Sequence, residues 1–174
     1  MRELRSGMEP IWVLESEEDT QALGTALGQL LSEESVVGLT GDLGAGKTTL
    51  TRSIAMGFGV PEGVPVNSPT FTLMNLYDGS HRTLCHLDFY RLDHVDELEG
   101  LGLGDLEDQG TAFVVEWFDR IPEAFDDVLS LHLRVTGMES REVSLRSDGP
   151  RSKELLDSLR SRLSMEESTQ SVIS

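Results

Sequence analysis

Short apolar runs of strand length alternate along the chain with segments whose large apolar residues recur every three or four positions. The runs that predict strands are residues 11–14, 36–40, 70–77, 83–89, 112–115, 128–135 and 141–146. The segments that predict helices are the leucine-rich stretch after Ser16, where Asp19 completes a capping box, Lys47 to Phe58, part of 93–108, and Pro150 to Leu163. Turn residues at 78–80 favour an antiparallel hairpin between two of the strands. This order predicts a single α/β domain, a mixed sheet flanked by helices on both faces.

The same patterns divide the chain into three parts. Residues 1–10 are predicted to be a flexible N-terminus, and residues 11–146 form the central domain. Residues 147–174 comprise an amphipathic helix and a tail, and the tail from residue 164 is rich in Ser, Thr, Glu and Gln, which predicts disorder. A packed terminal helix is favoured over one that docks a partner, because apolar stripes usually face a core.

A glycine-rich turn separates strand 36–40 from the helix that begins at Lys47. Its residues, Gly-Asp-Leu-Gly-Ala-Gly-Lys-Thr at 41–48, match the P-loop pattern G-x-x-x-x-G-K-[ST]. Glycines here let backbone N–H groups approach phosphate oxygens, while Lys47 is expected to contact the β- and γ-phosphates and Thr48 to hold Mg²⁺. The central domain is therefore predicted to be a P-loop nucleotide-binding domain. The nucleotide-binding residues predicted here are Asp42, Leu43, Gly44, Ala45, Gly46, Lys47, Thr48 and Thr49. The guanine-reading motif Asn-Lys-x-Asp is absent from the sequence, which favours ATP over GTP.

A magnesium site in such a domain needs a carboxylate at the end of a neighbouring strand. Asp88 and Glu116 both end apolar runs, and spacing alone does not rank them. Glu116 follows the more apolar run and is the better candidate. Thr70, in Ser-Pro-Thr-Phe at 68–71, is either a ligand of the metal or γ-phosphate or part of a plain proline turn. His86 is interpreted as a partly buried strand residue rather than a ligand.

Charge and cysteine content narrow the function further. Fourteen Lys and Arg against thirty-one Asp and Glu give a net charge of −17, so direct binding of nucleic acid is not expected. Cys85 is the only cysteine, which fits a reducing compartment. No apolar run reaches the roughly 20 residues that span a bilayer, and the first residues lack a signal-peptide pattern. A cytoplasmic location without membrane contact is expected.

Four motifs occur in one order, at 41–49, 68–71, 86–91 and 115–117. This set resembles the TsaE family, the bacterial ATPase subunit of the machinery that makes threonylcarbamoyladenosine (t6A) in tRNA, over residues 12 to 146. The resemblance implies that ATP is hydrolysed, that Thr48 and Glu116 hold Mg²⁺, that Lys47 contacts the phosphates, and that Asp88 supports hydrolysis. It also implies moving or supporting roles for Ser68, Thr70, Tyr90, Arg91 and Trp117. Extended beyond the motifs, it suggests that Glu17 and Ser140 lie near the adenosine.

The family resemblance also implies the partners. They are TsaD, which transfers the threonylcarbamoyl group to adenosine 37 of tRNA, and its companion TsaB. This chain is then expected to contact tRNA only indirectly, through the complex. The expected activity is a weak, partner-dependent, magnesium-dependent ATPase that acts as a nucleotide-driven switch. Two alternatives remain open: a small-molecule kinase, although no arginine-rich lid is evident in the sequence, and a nucleotide-gated binding module without turnover.

Overall fold

Residues 1–4 and 9–170 are described by the computed structural model, with side chains up to residue 165. Eight strands in this part of the chain form one sheet. The strands are β1 (Arg2–Glu3), β2 (Ile11–Leu14), β3 (Val36–Thr40), β4 (Met74–Asp78), β5 (Thr83–Asp88), β6 (Ala112–Glu116), β7 (Val128–Val135) and β8 (Arg141–Ser147). The α-helices are α1 (Glu17–Leu30), α2 (Lys47–Phe58), α3 (Leu103–Asp108) and α4 (Pro150–Gln170). Short 3-10 helices cover Val95–Leu101, Phe118–Arg120 and Pro122–Ala124.

The strand order is β1-β2-β8-β7-β3-β6-β5-β4. The central strands β7, β3, β6 and β5 run parallel, whereas the strand pairs toward both edges are antiparallel. All of β6 is buried, as expected for a parallel strand covered on both faces. β4 and β5 form the hairpin that the turn at 78–80 predicts. The predicted α/β architecture, a mixed sheet flanked by helices, is confirmed.

Each face of the sheet has its own core, because successive side chains of a strand point to opposite faces. Ala112 and Val114 of β6 belong to the core that α1, α2 and α4 cover. Phe113 and Val115 belong to the opposite core, which the 3-10 helices and α3 cover. The three long helices therefore share one face, and the side chain of Glu116, two residues after Val114, points to that face as well.

Small residues let α1 and α2 pack closely together. A Cβ atom on Gly28 would lie 2.0 Å from the Ile54 carbonyl oxygen, and one on Gly57 would lie 2.2 Å from the Thr25 carbonyl oxygen. A larger residue at either position would force the two helix backbones apart. This contact fixes α2 against α1, and the N-terminus of α2 is where the glycine-rich turn ends.

The N-terminus differs from the predicted flexible segment where the structure describes it. Arg2 and Glu3 pair with β2, Glu3 accepts a 3.0 Å bond from Arg160, and the amino group of Met1 lies 2.9 Å from Asp19 Oδ1. Two edge-strand residues are thus ordered by pairing and by charge contacts that local composition does not reveal. Residues 5–8 of the predicted segment lie outside the described part of the chain.

Two other boundaries were predicted wrongly. β4 begins at Met74 rather than at residue 70, because the Leu73 N–H donates to the Pro69 carbonyl (2.6 Å) and closes a turn. α4 continues to Gln170, so residues 164–170 are helical where the sequence predicted disorder. Extending a helix that is already docked requires no new nucleation, and Met and Glu are good helix formers. Residues 171–174 of the predicted tail are outside the described range.

Candidate nucleotide-binding site

The carboxyl ends of the parallel strands meet at one edge of the sheet, where open α/β sheets bind ligands. Leu39, the second-last residue of β3, pairs with Glu116, and Glu116 pairs with Asp88 on β5. The glycine-rich turn leaves β3 at this same edge. The fold therefore brings the turn and both candidate carboxylates together.

Glycine conformations shape the turn at 41–46. Gly44 and Gly46 have φ values of 80° and 108°, a region that other residues rarely adopt. Gly46 is the N-cap of α2 and has no side chain to bond the first N–H groups of the helix. These N–H groups are free to bind an anion, and the helix dipole favours negative charge at this position. Leu43, at the tip of the turn, is 82% exposed.

Lys47 lies folded over the turn. Its ammonium donates to the carbonyls of Gly41 (2.7 Å) and Asp42 (2.9 Å), and it lies 3.7 Å from the centroid of the Trp117 ring. Burial lowers the pKa of Lys47 from its ordinary value, and this effect exceeds the opposing attraction of Glu116 and three nearby aspartates. A lysine with such neutral partners is available to an incoming anion, because phosphate offers it a full negative charge.

Glu116 links β6 to the start of α2. The Thr48 hydroxyl donates to Glu116 Oε2 (2.9 Å), and His86 Nε2 lies 2.9 Å from Glu116 Oε1. The Glu116 residue is only 2% exposed, so both carboxylate oxygens depend on these partners. Thr48 and Glu116 were predicted as a metal pair from different parts of the sequence, and the fold brings their oxygens within hydrogen-bond distance.

Asp88 has a different environment. Its Oδ2 accepts hydrogen bonds from the hydroxyls of Thr70 (2.7 Å) and Ser68, and its Oδ1 accepts one from the Tyr90 N–H (2.9 Å). Ser68 and Thr70 are also 2.7 Å apart. The Ser-Pro-Thr-Phe segment is therefore tied to Asp88, whereas Glu116 is tied to the turn and α2.

The side-chain oxygens of Thr48 and Glu116 are of the kind that Mg²⁺ binds. No cluster of three His, Cys, Asp or Glu side chains that could hold a metal occurs among residues 1–4 and 9–165. Mg²⁺ is usually bound by one or two carboxylates, waters and substrate phosphates rather than by a complete protein cage. The Thr48 hydroxyl and the Glu116 carboxylate, beside the glycine-rich turn, fit that pattern.

Aromatic side chains surround the two carboxylates. Trp117 follows Glu116 with a φ of 57°, and its ring lies 4.9 Å from that of Tyr90. The guanidinium of Arg91 lies 5.3 Å from the Phe71 ring centroid, and Phe71 is 86% exposed. Of the predicted supporting residues, Trp117 thus contacts Lys47, and Arg91 contacts Phe71 of the Ser-Pro-Thr-Phe segment.

A cleft of about 270 Å³ opens beside the turn, on the side of α1 and the β7–β8 connection. It is lined by Glu17, Glu18, Thr20, Ala45, Gly46, Thr49, Met138, Glu139 and Arg141. Its three carboxylates can accept hydrogen bonds from hydroxyl and amino groups of a ligand. Glu17, for which the family resemblance suggests a place near the adenosine, lines this cleft. Ser140 lies between two lining residues, and its hydroxyl accepts a bond from Thr136 (3.2 Å).

Two residues of the site were not recognised in the sequence. His86 was interpreted as partly buried, but its side chain is fully buried and contacts Glu116. The two-residue spacing from Asp88 on one strand was the available indication, since it places both on the same face. Arg141 donates through Nε to the Ala45 carbonyl (3.0 Å) and through Nη1 to the Ser140 carbonyl (3.1 Å). Nothing local identifies Arg141, because Ala45 is 96 positions away.

None of the helices within the described ranges combines the length and the apolar composition that a bilayer crossing requires.

Comparison with known proteins gives a consistent result. Residues 14–143 match the family model described as threonylcarbamoyl adenosine biosynthesis protein TsaE. The chain is 37% identical to a Treponema pallidum protein over 134 residues, which is 76% of this chain and 97% of the relative. It is 34% identical to a Bacillus subtilis protein over 149 residues, 85% of this chain and 92% of the relative. Both are named tRNA threonylcarbamoyladenosine biosynthesis protein TsaE. The crystal structure of YdiB from Bacillus subtilis superposes with a TM-score of 0.72 at 29% identity, covering 90% of this chain and 99% of that one.

Proposed function

Because the chain belongs to the TsaE family, we propose that it is an ATP-binding and ATP-hydrolysing accessory subunit for t6A modification of tRNA adenosine 37. Its relatives carry t6A biosynthesis in their names, and four sequence motifs of this chain fall around one site. The observation that carries the proposal is the contact of Thr48 with Glu116 at the N-terminus of α2, next to Asp88. This is the arrangement that magnesium-dependent hydrolysis of a nucleoside triphosphate requires.

Each side chain of the site has a role in this proposal. Lys47 leaves the carbonyls of the turn and binds the β- and γ-phosphates, while the N–H groups at the start of α2 bind their oxygens. Thr48 and Glu116 would hold Mg²⁺. When bound, this ion would neutralise the charge that develops on the phosphate oxygens. The nucleoside would occupy the acidic cleft beside Glu17.

Asp88 would orient the attacking water. It lies on the strand next to Glu116, and its carboxylate already accepts bonds from Ser68 and Thr70. If binding or release of the phosphates moved Asp88, the Ser-Pro-Thr-Phe segment bonded to its carboxylate would therefore move with it. This connection gives the proposed switch a physical basis, since the segment can respond to hydrolysis.

The proposed partners are TsaD and TsaB, with tRNA bound by the complex rather than by this chain. The net charge of −17 supports that division, because an acidic surface repels a phosphate backbone. A cytoplasmic location would follow from work on tRNA.

Release of phosphate from ATP and Mg²⁺ tests the proposal, first with this protein alone and then with TsaB, TsaD and tRNA. We expect slow release by the free protein and stimulation by the partners. Lys47→Ala should abolish the stimulated rate. Lys153→Ala is the matched control, because Lys47 and Lys153 are the only lysines of the chain.

The other outcomes identify the alternatives. ATP binding without phosphate release in any mixture would favour a nucleotide-gated binding module. Transfer of phosphate to a hydroxylated metabolite would favour a kinase. Fast ATP hydrolysis by the free protein, at a rate that the partners do not change, would contradict the accessory role.

A further inference from the structure

His86 is a buried polar residue to which the roles above assign nothing. It lies on β5, two positions before Asp88, and its side chain has no exposure to solvent. Its Nε2 lies 2.9 Å from Oε1 of Glu116. The ring of Tyr77 lies 6.4 Å from the His86 ring, centroid to centroid.

The two oxygens of Glu116 have separate partners. Oε2 accepts the Thr48 hydroxyl, and Oε1 faces His86 Nε2. A carboxylate accepts only, so the His86 proton must be on Nε2 for this contact to be a hydrogen bond. Because the carboxylate is almost fully buried, two such bonds at its two ends fix both its position and its rotation.

The other ring nitrogen of His86, Nδ1, has no hydrogen-bond partner in the described part of the chain. Within the described residues, it is one of the few buried side-chain nitrogen or oxygen atoms without a hydrogen bond. An apolar residue of similar volume would avoid the cost of burying this unpaired nitrogen. The contact with Glu116 is therefore the polar interaction that justifies a histidine at this position.

We propose that His86 is a positioning residue for the metal site. By holding Oε1, it leaves Oε2 next to the Thr48 hydroxyl as the oxygen available to a divalent cation. This inference rests on the magnesium site of the proposed function. Partners that orient a metal ligand typically affect metal affinity about 10- to 100-fold when they are removed.

Three variants separate positioning from packing. His86→Gln keeps an N–H donor near the place of Nε2, whereas His86→Leu fills the space without a donor. His86→Asn keeps polarity, but its shorter side chain does not reach Glu116. His81→Gln, at an exposed histidine in the β4–β5 turn, is the control.

The measurement is the affinity for ADP by calorimetry as a function of Mg²⁺ concentration, with a metal-free baseline in EDTA. We expect His86→Leu and His86→Asn to raise the Mg²⁺ concentration for half-maximal effect about 10- to 100-fold. The EDTA baseline should stay unchanged, and His86→Gln should restore most of the Mg²⁺ response. Melting temperatures identify any variant that does not fold, and His86→Asn replaces His86→Leu if the latter fails.

A second background tests whether His86 acts through Glu116. In Glu116→Gln, adding His86→Asn should change the Mg²⁺ response no further, since the ligand is already lost. The proposal would be overturned if His86→Gln and His86→Asn raised the half-maximal Mg²⁺ concentration equally. It would also be overturned if His86→Asn weakened the Mg²⁺ response further in the Glu116→Gln background. A wild-type protein whose ADP binding ignores Mg²⁺ would instead refute the metal site of the proposed function, and this inference with it.

Discussion

Asp88 and Glu116 occupy paired positions on the parallel strands β5 and β6, yet their carboxylates accept hydrogen bonds from different groups. Glu116 bonds Thr48 at the start of α2, whereas Asp88 bonds Ser68 and Thr70 of the preceding loop. Two neighbouring carboxylates with such different partners are suited to different steps. In the proposed function, Glu116 holds the metal and Asp88 supports hydrolysis.

This difference predicts that binding and turnover separate by mutation. Asp88→Asn should leave the Kd for ATP within about twofold but slow phosphate release by about 10²-fold or more, because general-base assistance typically contributes that much. Glu116→Gln should weaken Mg²⁺-dependent ATP binding. Calorimetry together with single-turnover hydrolysis measures both. If both variants lose ATP to the same extent, the division of roles is wrong.

Lys47 and Trp117 predict an optical change on nucleotide binding. The lysine ammonium lies 3.7 Å above the Trp117 ring, and binding of phosphates should draw this charge away and alter the fluorescence of the indole. The other tryptophan, Trp12, is buried on β2 and should contribute a constant background. Titration with ADP measures the change. A signal that persists in Trp117→Phe would contradict the assignment.

Arg141 predicts coupling between the acidic cleft and the glycine-rich turn. Because it bonds the Ala45 carbonyl, Arg141→Ala should weaken binding of ATP and of inorganic tripolyphosphate by similar factors. A lost hydrogen bond of about 1 kcal/mol corresponds to about fivefold. Competition binding measures both ligands, with Arg134→Ala, an exposed arginine on the same hairpin, as the control. A loss confined to ATP would mean that Arg141 contacts the nucleoside instead.

Asp127 caps α4 from a distant loop. Its two oxygens accept the N–H groups of Arg151 and Ser152, both at 2.9 Å. Burial would raise the pKa of Asp127, but these hydrogen bonds and the Arg151 charge outweigh it, so the pKa is lowered from its ordinary value of 3.8. The stabilisation is therefore present above pH 3.8, the unfolded-state value, and is lost as the pH falls through the lower folded-state value.

Asp127→Ala removes both acceptor oxygens and should accordingly reduce the free energy of unfolding by about 1 kcal/mol at pH 7, a typical capping contribution. The difference from wild type should shrink in acid. Urea unfolding at neutral and at acidic pH measures this difference. Asp126→Ala is the control, because Asp126 is an exposed neighbour. A difference that stays constant down to the pH of acid unfolding would contradict the capping role.

Cys85 predicts a chemical property of the folded core. Burial raises the pKa of its thiol to about 12, so the reactive thiolate is scarce at neutral pH. Alkylation by iodoacetamide should be slow in the native protein and fast in urea. Rapid alkylation of the native protein would mean that β5 opens readily, which would conflict with its place beside the site.

Local patterns in the sequence were sufficient for most of the strands and helices and for the glycine-rich turn. Hydrophobic spacing identified β3 and α2, and the glycines between them permit the positive φ values that the structure has. These features depend on neighbours a few positions away. The start of β4 was misplaced because the turn closed by Pro69 and Leu73 is decided by how the loop meets β5.

Contacts between distant residues were decided by the tertiary structure. Sequence spacing did not rank Asp88 and Glu116, but strand order places Glu116 next to β3 and within reach of Thr48, 68 positions away. The same holds for His86 beside Glu116 and for Arg141 on the turn. The sequence alone therefore determined which chemical groups were available and where most of the strands and helices form. Their partners were set by sheet order and burial, because hydrogen bonds depend on distances in space that the chain closes only when it folds.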